Sequence, residues 1–220
     1  MQQQEIVERY RRMRKISNRH HNAALDFLTR PAMIEPAKRL GLASGNTLIL
    51  DSDEEMALVC DLAVHTAKPG RSRAIDRYAR AMAFAPGSEE DLVLEAIRVA
   101  QFSVWSVVRR HDVAGLIVAD AMSQEETWLM DEHMTRSLSP GYMFAARLSR
   151  PAAFAMTCGV IVPIDPETFH DELHDNDAAL RLARRAQSVG DAAFAATVYR
   201  IAIDSGMMET IRFENPTYAS

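Results

Sequence analysis

Phe102-Ser103-Val104-Trp105-Ser106-Val107-Val108, followed by Gly115-Leu116-Ile117-Val118-Ala119-Asp120, is where the apolar pattern of this chain changes period. Upstream, apolar residues recur every three or four positions. Here they recur about every second position, and β-branched and aromatic types concentrate, which is the pattern of strands. Three more extended runs follow, Thr127 to Asp131, Tyr142 to Leu148 and Ala153 to Val162. Turn-forming stretches such as Ser139-Pro140-Gly141 and Arg150-Pro151 separate them. Five short strands on short connections predict an antiparallel meander, either a small barrel or a curled sheet. The first strand is apolar on both faces, so one face should meet the sheet's own interior and the other should meet helices.

Before this stretch the chain reads as helices. Ile6, Tyr10, Met13, Ile16, His20, Ala24 and Phe27 lay an apolar stripe along one long helix. Thr29-Arg30-Pro31 breaks it and opens a short helix to about Leu40. Ser52 to Glu55 has capping-box spacing ahead of a helix to about Ala67. Lys68-Pro69-Gly70 and Pro86-Gly87 punctuate two more helices, Arg71 to Phe84 and Glu89 to Gln101.

After the strands, Asp165-Pro166 caps a further helix. Ala-rich segments on either side of Ser188-Val189-Gly190 predict a C-terminal helical hairpin. Because the strands are contiguous, the fold class is α+β. The expected division is a helical region over residues 1–101, a β region over 102–164, a hairpin over 165–205 and a tail over 206–220, all in one compact unit without a flexible linker.

The 220 residues carry a net charge of −5, with 48% hydrophobic and 25% charged residues, ordinary globular values that exclude disordered, collagen-like and rod-like classes. Two cysteines, Cys60 and Cys158, are too few for a disulfide framework. There is no apolar run of membrane-spanning length and no secretory leader pattern, so the expected location is cytoplasmic, with no membrane partner.

His170-Asp171-Glu172-Leu173-His174 places two imidazoles four residues apart, with Glu167 one turn earlier on the same side. That spacing lets two rings meet one ion. The pattern resembles the zincin motif His-Glu-x-x-His, except that Asp171 stands where the motif has its glutamate. A third ligand, His111 or His133, could come only from folding. Glu167, His170 and His174 are therefore the candidate ligands for zinc or another divalent metal, and the chemistry they imply is that of a metal-dependent hydrolase. The same segment also reads as a helix whose acidic beginning and Arg181, Arg184 and Arg185 end follow the helix dipole. No cofactor motif is present, whether phosphate loop, dinucleotide fingerprint or nucleophile elbow.

Arg9, Arg11, Arg12, Arg14, Lys15 and Arg19 make the first helix basic, which offers nucleic-acid binding as another reading. Ala37 to Leu42 also has the look of a helix-turn-helix centre, but the following Asp51 to Glu55 would present acids to phosphates. Trp105, Trp128, Tyr142 and Phe144 could stack bases, yet the β region has five arginines against six carboxylates. Charge thus argues against nucleic acid. With no complete catalytic set, the leading reading is a soluble, bacterial-type, non-catalytic interaction or scaffold protein with an unidentified protein partner. Ile6, Tyr10, Met13, Ile16 and Phe27 are the candidate interface of a homodimer.

Overall fold

The computed structural model describes residues 3–68, 70–167 and 192–206. Among them the chain is α+β, with seven helices and a five-stranded antiparallel sheet. Helices α1 (Gln3–Leu25), α2 (Arg30–Leu40), α3 (Asp53–His65), α4 (Ala74–Ala81) and α5 (Glu89–Arg98) come first, with a small hairpin of β1 (Ala43–Ser44) and β2 (Thr47–Leu48) between α2 and α3. Then follow β3 (Gln101–Arg110), β4 (Leu116–Asp120), β5 (Glu126–Leu129), α6 (Glu132–Ser137), β6 (Met143–Ser149), β7 (Met156–Ile164) and α7 (Ala192–Asp204). The sheet order is β5-β4-β3-β6-β7.

Local chemistry sets the boundaries. Thr29 and Pro31 start α2, and Gly41, at φ 79°, ends it in left-handed geometry. The hairpin that follows leaves no room for a recognition helix, so the helix-turn-helix pattern is not realised. Ser52 Oγ accepts the Glu55 amide at 3.2 Å, while the Glu55 carboxylate takes the Asp51 amide rather than that of Ser52. This is a capping box displaced by one residue.

The two faces of β3 divide as its alternation demands. Phe102 and Val104, with Ala145, Val162 and Ile164, pack under α2, α3 and α7. Trp105 and Val107 join Leu116, Val118, Leu129, Phe144 and Leu148 on the other face, which α6 covers through Met134. A second helical layer forms as α1 lays Ile6, Tyr10, Met13, Ile16 and Ala24 against α3, α4 and α5.

Of the two expected forms, the closed barrel is not realised. β5 and β7 are the sheet's edges, and β5 meets the residue just before β7 through an isolated parallel bridge, Leu129–Ala155. The reason lies just beyond β5. Asp131 caps α6 by accepting the His133 and Met134 amides, each at 3.0 Å, and turns the chain away before a ladder can grow.

Of the expected hairpin, α7 is one arm, and the other falls outside the described residues. No helix among the described residues is long and apolar enough to cross a membrane.

Candidate functional site

The site begins with a fault in the sheet. Between the pairs Ala146–Ile161 and Leu148–Thr157, β6 contributes only Arg147 while β7 contributes Cys158, Gly159 and Val160. This is a bulge, and Gly159 at φ 93° supplies the conformation that a side chain would resist. Arg147 projects from the facing position toward α3. Its guanidinium forks onto Asp61, Nε to Oδ1 at 3.3 Å and Nη2 to Oδ2 at 3.1 Å. The Tyr199 hydroxyl, from α7, donates to the same carboxylate at 3.0 Å.

Side-chain exposure is 2% for Arg147 and 3% for Asp61, so this ion pair is out of water. Phe102 lies beneath the guanidinium, 5.7 Å from ring centre to Cζ. Burial, and then the Asp61 charge, push the Tyr199 hydroxyl well above its usual pKa, which keeps it a donor.

Beside this cluster is a cavity of about 640 Å³ between α1, α3 and β7. Leu25, Met56, Ala57, Val64, Val160 and Ile161 give it apolar walls, and Asp53 and Glu54 stand on its lining, with no lysine or arginine among the described residues there. Cys60, Asp61 and His65 from α3, His21 from α1 and Cys158 from β7 complete it. Asp61 and His65 share one face of α3 because they are four residues apart.

His21 and His65 face each other with ring centres 5.7 Å apart. His21 Nδ1 donates to the Ser17 carbonyl at 2.9 Å, which leaves Nε2 as the lone-pair nitrogen. That nitrogen and both nitrogens of His65 are sealed from solvent and have no partner.

Burial sets the protonation states here. It lowers His21, and it lowers His65 well below the ordinary histidine value, with Arg147's charge adding to the effect on His65. Burial likewise pushes Cys60 up, and Cys158 up to about 11. Neither thiol is a thiolate at neutral pH, so neither has the reactive form.

His170 and His174 lie outside the described residues. Glu167 is exposed, just beyond β7. Among the described residues no three of His, Cys, Asp and Glu are grouped to hold a metal. His111 stacks on Trp128, with centres 4.1 Å apart, and His133 sits in the first turn of α6.

The stripe offered as an interface is occupied within the chain: Ile6, Tyr10, Met13 and Ile16 are buried, and Phe27 packs edge-on against Tyr78. His20, on that stripe, is satisfied. It accepts from the Tyr78 hydroxyl at 2.8 Å and donates to the Glu90 carbonyl at 3.0 Å.

Four of the six basic residues on α1 have acidic partners, Arg11 on Glu132, Arg12 on Glu89, Arg14 on Asp131 and Arg19 on Glu90. Trp105 and Phe144 are core residues, whereas Tyr142 is 40% exposed. A larger cavity, of about 980 Å³, lies between α2, α3 and α4. Its cations are largely engaged: Lys68 pairs with Glu35, Arg77 holds the Ser72 and Phe27 carbonyls, and Arg30 reaches the Asn46 carbonyl.

The residues that sequence reading missed are His21, Asp61, His65, Arg147 and Tyr199. One local signal existed, since Asp61 and His65 are titratable residues one turn apart within an apolar helix face. No curated protein and no solved structure matches the chain. A family model does match, over residues 4–201, nearly the whole described fold, and the chain belongs to that family of unknown function, DUF7986.

Proposed function

We propose that the chain is a non-catalytic binding protein whose ligand occupies the cavity between α1, α3 and β7. The ligand is a small molecule with an apolar body and a cationic group. The observation that carries this reading is the lining itself: apolar walls, the carboxylates of Asp53 and Glu54, and no lysine or arginine among the described residues that line it. At about 640 Å³ the space is of the size small ligands use.

The reactive side chains nearby support binding over catalysis. Both thiols are held protonated, Asp61 is fully engaged, and the unpartnered imidazole nitrogens are sealed from the solvent a substrate would arrive through.

Calorimetric titration with three probes of equal length, hexylamine, hexanol and hexanoate, tests the charge preference. Hexylamine should bind most tightly, and Asp53→Asn with Glu54→Gln should bring it to the level of hexanol. Hexanoate binding as well as hexylamine would contradict the proposal.

A further inference from the structure

We infer that His21 and His65 together bind one divalent late first-row transition-metal ion, with zinc as the reference, where the two rings meet between α1 and α3. Both rings also line the cavity described above, but the inference rests on their ring nitrogens and not on the cavity's carboxylates. It begins with a deficit of hydrogen bonds. Three ring nitrogens, His21 Nε2, His65 Nδ1 and His65 Nε2, are sealed from solvent without a partner. His65 is 1% exposed. A buried polar atom left unsatisfied carries its desolvation cost uncompensated, so a guest that meets two of them at once has a standing free-energy advantage.

The orientation of His21 says what kind of guest fits. Its Nδ1–H is held by the Ser17 carbonyl at 2.9 Å, which turns the bare lone pair of Nε2 toward whatever fills the gap. Metal-binding histidines are oriented in this way, with the second ring nitrogen donating to a carbonyl or carboxylate. The spacing fits as well. Bonds of about 2.0–2.1 Å from each nitrogen place two imidazole centres on one tetrahedral ion roughly 5 Å apart. The observed separation is 5.7 Å with planes inclined at 53°.

The charge environment permits an ion. Arg147 and Arg73, whose charges act on His65, are matched by Asp61 and Asp76. Both rings are kept neutral by burial, which is the form that coordinates. Borderline ions such as zinc, nickel or copper suit imidazole, whereas magnesium and calcium require oxygen ligands. Among the described residues no third His, Cys, Asp or Glu is grouped with the pair, so the two imidazoles are the ligands the described residues supply.

The test uses the full chain, tag-free and freed of metal by chelation, titrated with zinc chloride by calorimetry. Long-range proton–nitrogen NMR follows the imidazole nitrogens in parallel. One equivalent should bind to the wild type and equally to the His170→Ala/His174→Ala variant, while His21 and His65 ring nitrogens shift on saturation. His21→Gln and His65→Gln should each weaken binding by more than about tenfold.

Because His65→Gln could compromise folding, the wild-type NMR shifts decide on their own. No zinc uptake, uptake that leaves the His21 and His65 resonances unmoved, or uptake lost only in the His170/His174 variant would each overturn the inference. The first of these would assign the gap to water. Hexylamine binding is read through the Asp53 and Glu54 variants and zinc binding through the ring nitrogens of His21 and His65, so failure of one is distinguishable from failure of the other.

Discussion

At the scale of single residues, Asp61 matters most, because three elements meet on its carboxylate: α3 carries it, β6 brings Arg147 and α7 brings Tyr199. Removing one member of a buried ion pair leaves an uncompensated charge. Asp61→Ala is therefore expected to cost about 3–5 kcal/mol in denaturant unfolding. Tyr199→Phe, which loses one hydrogen bond but keeps the ring, should cost about 1.5–3 kcal/mol. Equal losses for the two variants would show that Asp61 acts through the Tyr199 hydrogen bond and not through its charge pairing with Arg147.

Cys158 gives a second prediction. With its thiol pushed up to about 11 and its side chain buried, it should resist iodoacetamide at pH 8 in the native protein, and half-buried Cys60 should be modified first. Labelling of Cys158 at the rate of a free thiol would place it outside the core.

At the scale of elements, Gly115 fixes how β4 enters the sheet. Its φ is 83°, and a Cβ there would come within 2.3 Å of the Leu129 carbonyl oxygen and 2.9 Å of Met130 Sδ. Gly115→Ala should therefore lower stability by at least about 1–3 kcal/mol, whereas Gly141→Ala, with open space around it, should cost less.

Helices α4 and α5 are pinned through Asp76, which accepts from Arg73 at 2.7 and 2.8 Å and from Arg98 at 3.2 Å. Burial opposes its charge, yet the two guanidiniums hold its pKa below the ordinary carboxylate value. As pH falls, the unfolded chain protonates this group first. The stability it contributes is thus present above about pH 4 and is lost as pH drops through the folded value. Asp76→Asn should be less stable than wild type at pH 7, and the two should converge in acid. A gap independent of pH would contradict the linkage.

The element layout was legible in the chain because period and punctuation are local. The change at Phe102, the cap at Ser52 and the turn prolines all lie within a few residues of what they control. Helix α6 was not legible, because Asp131 reads as the end of a strand until its carboxylate is seen to accept two amides. Barrel closure was not legible either, since it depends on whether Leu129 and Ala155, far apart in sequence, extend their bridge into a ladder.

At the scale of the whole molecule, α1 belongs to the core. Ile6, Tyr10, Met13, Ile16 and Ala24 are all buried, and the larger side chains among them contribute roughly 1.5–3 kcal/mol each. Their sum is comparable with the total stability of an ordinary domain. Deleting residues 1–28 should consequently abolish cooperative thermal unfolding by calorimetry, and a truncated chain that still melts cooperatively would contradict this.

The candidate site was hidden from sequence for the same reason that α1 is indispensable. His21, Asp61 with His65, Arg147 with Cys158, and Tyr199 come from four separated stretches, and the Asp61–His65 spacing alone does not reveal the others. The most direct test of the binding role is a backbone amide NMR titration with hexylamine. Resonances of Cys60, Val64, Val160 and Ile161 should move together with one affinity, and they should stay still when hexanoate is added. Shifts confined to the cavity between α2, α3 and α4, or identical responses to the amine and the acid, would contradict it.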